Sequence, residues 1–131
     1  MTGPTVIVRK SEGVLEIARD DGGTERFPVS VGSNPDLADK LEPGDCRTPE
    51  GDFQIVSIED SSDWEHEGRR SYGRYFLRLA CPPWDGIGIH GTDEPELLGR
   101  PASRGCIRMS DEGLSRLVEL TAPGTVVRIV P

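Results

Sequence analysis

Ile89-His90-Gly91-Thr92, followed after a Gly- and Pro-containing stretch by Ser103-Arg104-Gly105-Cys106-Ile107-Arg108-Met109, puts an imidazole, a thiol and two guanidinium groups into one part of the chain. A free thiol is mostly protonated at neutral pH, and it becomes a nucleophile when an imidazole takes its proton and nearby cations favour the sulfur anion. An extended backbone alternates its side chains. Arg104, Cys106 and Arg108 are therefore expected on one face, with Ile107 and Met109 turned into a core. The sulfur is then expected between two cations, a placement that a merely buried thiol would not need, because unpaired charge is costly to bury. Gly91 and Gly105 let backbone approach closely at both poles, where an amide or carbonyl can contact a substrate.

These residues resemble the signature of the L,D-transpeptidase catalytic domain (the YkuD-type family) of bacterial cell-wall enzymes. That signature is a His-Gly, a spacer, Ser or Thr, commonly His, then Gly-Cys and often Ile-Arg-Met. His90-Gly91, Ser103, Gly105-Cys106 and Ile107-Arg108-Met109 match it. Gly44-Asp45-Cys46-Arg47-Thr48-Pro49-Glu50-Gly51-Asp52-Phe53 is similar to the family's Gly-Asp-x-Arg-Thr-Pro-x-Gly-x-Phe element, and Gly86 to His90 fits its Gly-Ile-Gly-Ile-His approach. Two departures stand out. Arg104 occupies a position where the family often has histidine, and Ser110-Asp111 stands where Ser-Asn is frequent.

The resemblance implies a cysteine transpeptidase acting on peptidoglycan stem peptides, donor and acceptor, through a thioester on Cys106. His90 would take the thiol proton and return it to the leaving amine, oriented by a backbone carbonyl at Gly91. Backbone amides of Gly105 and Cys106 are the expected oxyanion donors. Arg108 and Arg104 are candidates for holding a substrate carboxylate, which a guanidinium fork matches with two parallel hydrogen bonds, and Ser103 is grouped with them. Acylation by carbapenems is implied, and no cofactor or metal is required. Two other classes stay open. Water could resolve the same thioester, giving a carboxypeptidase or amidase, or the fold could be kept as a non-catalytic wall-binding domain.

With 131 residues, the chain is long enough for one core and too short for two, so residues 1–131 are expected to form a single catalytic domain. Sixteen glycines and eleven prolines describe short strands joined by many turns. The net charge of −8 and the lack of a basic stripe argue against nucleic acid, whose binding depends on clustered Lys and Arg. No stretch has the length and apolarity of a membrane span. Work in the cell envelope, periplasm or wall, is expected if an export signal has been trimmed from this chain; a cytoplasmic location is the alternative, since the first thirty residues show no such signal. Without a Cys-x-x-Cys or a His pair at helical spacing, no metal site is expected. Three cysteines leave at least one thiol unpaired. Cys106 is the natural free one, Cys46 and Cys81 are either a pair or two small buried groups, with Cys46 alternatively a thiol near the site mouth, and His66 is expected as an exposed loop residue.

The elements needed to position this chemistry are mainly β: a sandwich or barrel of the L,D-transpeptidase type, with one packed helix after the cysteine. Short strands are expected at residues 5–8, 14–18, 27–31, 53–58, 75–79, 87–90 and 125–130, the first three as a meander. Ser33-Asn34-Pro35-Asp36 could cap a single helical turn. Residues 59–71 read as a long polar loop whose Trp64 folds back or lines a groove. The helix follows Ser110 as N-cap, with Asp111 and Glu112 in its first turn and Leu114, Leu117, Val118 and Thr121 on one face.

Overall fold

Alternation of apolar and polar residues sets the first strands, because a strand with one buried face puts every second side chain into the core. In β1 (Thr5–Arg9) the inward residues are Val6 and Val8, and in β2 (Val14–Ala18) they are Leu15 and Ile17, all fully buried. A computed structural model describes residues 4–131 of the protein. Between β1 and β2 the chain turns through Gly13 at φ +63°, where an added Cβ would lie 2.5 Å from the Gly99 carbonyl oxygen. Both the left-handed backbone and the close approach require glycine there.

The remaining strands are β3 (Thr24–Gly32), β4 (Gly51–Asp60), β5 (Tyr75–Ala80), β6 (Gly88–His90), β7 (Pro101–Ser103), β8 (Ile107–Met109) and β9 (Val126–Val130). Hydrogen bonding runs in the order β2-β1-β9-β4-β5-β6-β8-β3, and β3 pairs back onto β2. Eight strands thus close into a barrel, which removes the exposed edges that an open sheet leaves. The short β7 lies on the end of β3. Consecutive β1, β2 and β3 are antiparallel, the expected meander, while β9 returns parallel to β1.

Helix α1 (Asp111–Leu120) begins where Ser110 Oγ accepts a hydrogen bond from the Gly113 amide at 3.1 Å. Its Leu114 and Leu117 join Ile55, Leu77, Ile89, Ile107, Met109 and Val127 in one core cluster. Asp111 and Glu112 sit at the positive end of the helix dipole.

The helical turn expected at residues 33–36 is absent. The backbone makes one reverse turn, Leu37 amide to Asn34 carbonyl at 3.1 Å, and goes no further because Leu37 sits at φ +53°; Asn34 Oδ1 and Asp36 Oδ1 accept from the Asp36 and Ala38 amides at 3.3 and 2.8 Å. Buried Lys10 holds this loop to the barrel, donating to the carbonyls of Ala38 and Thr48 and pairing with Glu50 at 3.0 Å. Cys46, Cys81 and Cys106 are all free thiols, so the pairing of Cys46 with Cys81 is not made.

Candidate active site

Three neighbouring strands assemble the site. β5 and β6 are antiparallel with Phe76 opposite His90, and β6 and β8 are parallel with His90 beside Arg108. His90 is 5% exposed. Its Nδ1 lies 2.6 Å from the Gly91 carbonyl oxygen, and since a carbonyl only accepts, Nδ1 carries the proton and Nε2 is left as the base. The ring stacks on Phe76, with centroids 5.6 Å apart and planes 9° apart, and leans on Tyr72 at 5.0 Å. Burial pulls its pKa down to about 4 against the hydrogen bond to Gly91, which raises it, and Arg108 lowers it further. At neutral pH the imidazole is uncharged.

Cys106 sits at the entry to β8, after Gly105 at φ +142°. Its sulfhydryl donates to the Gly86 carbonyl at 3.3 Å, which suits a neutral thiol. Burial pushes the Cys106 pKa up, while the Gly88 amide and the charges of Arg108, Arg78 and Lys40 oppose that. Net, the resting thiol is protonated. The arrangement of Cys106 between Arg104 and Arg108 is therefore corrected: Gly105 breaks the extended run, and Arg104 turns outward to pair with Glu67 at 2.9 Å, both side chains largely exposed. Ile107 and Met109 are fully buried, as alternation through β8 requires.

Two more expectations shift with this turn. Ser103 lines the cleft but is only 2% exposed, and its hydroxyl is engaged in bracing the turn, donating to the Cys106 carbonyl and accepting from the Gly105 amide at 3.1 Å. The Gly105 amide is thereby occupied. Of the expected oxyanion pair, only the Cys106 amide is left without such a commitment among the described residues. Arg108 is better placed: it lines the cleft beside His90 and Cys106, 3.8 Å from Glu94, with its side chain 21% exposed.

A cleft of about 480 Å³ holds His90, Cys106, Arg104 and Arg108 together with Lys40, His66, Tyr72 and Trp84. A second cleft of about 380 Å³ is lined by Trp64, Glu65, Tyr72, Phe76 and Arg78. Both are bordered by Tyr72, Gly86 and Cys106, so the sulfur stands where they meet. Residues 61–74, between β4 and β5, form a strap along both. Its tip is a tight turn in which His66 and Arg69 exchange backbone hydrogen bonds around Glu67 and Gly68, both at positive φ. Glu67 reaches Arg104, and Arg69 pairs with Asp93 at 2.5 Å. At the base, the Gly91 amide donates to the Tyr72 carbonyl at 2.7 Å, and a Cβ on Gly91 would lie 2.8 Å from the Gly73 Cα.

His66 is an exposed loop residue, as expected, and also lines the cleft. Trp64 folds back against Tyr72 and Phe76, as its sequence context suggested. Sequence reasoning missed Lys40, Tyr72, Phe76, Arg78 and Trp84. Period two in β5 could have found Phe76 and Arg78, which share the face opposite buried Leu77 and Leu79. Nothing local marks Lys40, whose ammonium pairs with Asp45 at 2.8 Å and lies 5.3 Å from the Trp84 ring centroid. Among the described residues no cluster of three or more His, Cys, Asp or Glu is placed to hold a metal, and no helix is long and apolar enough to cross a membrane.

The Bacillus licheniformis YkuD protein is 35% identical over 117 residues, which cover 89% of this chain and 59% of the relative. The chain thus spans about three fifths of that protein's length. Among solved structures, an L,D-transpeptidase from Mycobacterium smegmatis superposes with a TM-score of 0.75 at 17% identity, over 98% of this chain and 59% of that one. L,D-transpeptidase 3 from Mycobacterium tuberculosis, solved with a faropenem-derived adduct, gives 0.75 at 20% identity, over 98% and 60%. At such identities the likeness speaks to fold alone, and the fold is theirs. Residues 3–129 match the family model described as the L,D-transpeptidase catalytic domain, YkuD, and the chain belongs to that family.

Proposed function

We propose that the protein is a cysteine L,D-transpeptidase acting on peptidoglycan stem peptides at the cell envelope. The observation that carries this reading is the uncharged His90, pinned through Nδ1 to the Gly91 carbonyl, in the same cleft as the Cys106 thiol. A neutral thiol beside a neutral imidazole needs one proton transfer to become an ion pair, and that transfer makes the nucleophile. His90 Nε2 takes the sulfhydryl proton. The thiolate attacks the carbonyl that joins an L-configured centre to a terminal D-amino acid, and the negative oxygen is met by the Cys106 amide.

Collapse of this intermediate breaks the C–N bond, and the proton held on Nε2 goes to the departing amine, leaving a thioester and a free D-amino acid. An acceptor amine then repeats the steps in reverse order. It loses a proton to Nε2 as it attacks the thioester, forms the new amide and restores the thiol. Arg108 serves the carboxylate of the terminal residue, and its charge, with those of Arg78 and Lys40, offsets the burial of the transient thiolate.

Incubation with a stem tetrapeptide followed by intact mass spectrometry tests the reading. The expected result is a protein adduct of the peptide minus its terminal D-amino acid, absent in Cys106→Ser, and an exchanged or cross-linked peptide when an amine is added. Release of tripeptide alone would assign water as the acceptor and make the protein a carboxypeptidase. No adduct and no turnover with any stem peptide would end the enzyme reading.

A further inference from the structure

His90 needs more than a hydrogen bond to be a directional base. The ring turns about Cα–Cβ and Cβ–Cγ, and one hydrogen bond at Nδ1 restrains these two torsions only jointly. Against the flat of the ring lies Phe76, its cross-strand partner, 9° from parallel at 5.6 Å, with Tyr72 tilted at 59° and 5.0 Å. Phe76 is itself held. It is 3% exposed, Trp64 packs at 5.4 Å, and the Arg78 guanidinium lies 4.9 Å from its ring centroid. Gly88 leaves it room: an added Cβ there would come within 2.5 Å of the Phe76 ring and 2.7 Å of the Leu77 carbonyl oxygen. The bare Cα two residues before the imidazole is therefore part of the same device, a strand glycine that lets a neighbouring group close in.

We propose that Phe76 is a positioning residue that sets the plane of the His90 ring, and that Gly88 is glycine so that Phe76 can reach it. The kinetic arm rests on the transpeptidase reading; the structural arm does not. Apart from Phe76, the imidazole is faced by Arg108 from β8, by Cys106 from the turn before it and by Tyr72 from the strap, with His66 beyond Tyr72 and Arg78 beyond Phe76. Of these, Tyr72 and Arg78 also touch the Phe76 ring, at 6.1 and 4.9 Å, and Phe76→Tyr, which keeps an aromatic ring for both, is the control for them. A change in His90 that appears in Phe76→Leu and is absent in Phe76→Tyr then reports the aromatic stack.

The test uses the intact chain with Phe76→Leu, Phe76→Tyr and Gly88→Ala. His90 is read by NMR of its ring protons across a pH titration, and the thiol by carbapenem acylation followed by mass spectrometry at several concentrations. In Phe76→Leu the imidazole midpoint is expected to climb from about 4 toward the ordinary 6.5, with the ring-current shift of its protons lost. The limiting acylation rate should fall at least tenfold with half-saturation unchanged, and its acid limb should move up with the midpoint. Phe76→Tyr should restore both readouts, and Gly88→Ala should reproduce the leucine variant in part. Wild-type titration, ring shifts and rate in Phe76→Leu would overturn the proposal, as would equal loss in the tyrosine variant. If the wild-type protein acylates with nothing, the enzyme reading fails, while the NMR titrations still decide the role of Phe76.

Discussion

At the residue scale the site is a protonated thiol waiting beside an uncharged base. Neither group is charged at rest: burial and the charge of Arg108 both disfavour the imidazolium, and at Cys106 desolvation outweighs what Arg108, Arg78 and Lys40 offer the thiolate. Cys106→Ser should lower acyl-enzyme formation by at least about a thousandfold, since a hydroxyl is far harder to deprotonate, while melting stays within a few degrees. Mass spectrometry and thermal melting check the two halves. Reactivity in the free protein should follow the same physics. The sequence alone predicts a Cys106 that alkylates at unusually low pH; both Cys46 and Cys106 are half-buried, but with its pKa raised and its sulfhydryl donating to Gly86 at 3.3 Å, Cys106 should instead be labelled slowly by iodoacetamide, after Cys46. Cys81, pushed up to about 12 by burial, should stay unmodified until the protein unfolds. Peptide mapping over a time course at pH 7 decides this; rapid labelling of Cys106 below pH 6 would mean that the cations outweigh burial. Arg108→Lys should lose much of the acylation rate although the charge is kept, because a point ion replaces a fork.

At the scale of elements, what was legible in the sequence is what depends on local period. β1, β2, β9 and the capped helix follow from alternation and a Ser-Asp-Glu start, and the same alternation places Ile107 and Met109 in the core with Arg108 turned the other way. It failed at Arg104 because one glycine at φ +142° ends the extended run, and a single dihedral is invisible to a pattern. The strap was illegible for a different reason. Its composition is that of a solvated loop, and its order comes from partners distant in sequence: Trp64 and Tyr72 on Phe76 and His90, Glu67 on Arg104, and Arg69 on Asp93. Exposed ion pairs contribute little to global stability but can hold a local segment. Glu67→Gln combined with Asp93→Asn should therefore leave the melting temperature nearly unchanged while trypsin cuts at Arg69 or Arg70 several times faster. Unchanged proteolysis would show that the aromatic base alone holds the strap.

Across the whole molecule, the buried imidazole ties the active site to stability. The native protein keeps His90 neutral down to about pH 4, whereas the unfolded chain protonates it near 6.5, so between those values the unfolded state binds more protons. Stability then rises with pH through that window and is flat above it; read downward, it is lost as pH falls from 6.5 to 4. A lowering of this size in a residue only 5% exposed is worth roughly 3 kcal/mol, a large share of what a small domain has. Carboxylates act in a lower window. Hydrogen bonds from Arg116 and Arg19 hold Glu25 at about 2, and Asp45 is lowered by Lys40 and three backbone amides despite its burial, so their contributions disappear as the pH drops from the ordinary carboxylate range toward these values. Chemical denaturation at pH 7, 5.5 and 4.5 should show a steady loss in the wild-type protein and almost none in His90→Gln, whose amide can still donate to Gly91 but cannot titrate. Parallel curves for the two proteins would place the acid sensitivity elsewhere, and would mean that His90 is more solvated than its stack on Phe76 and its bond to Gly91 require.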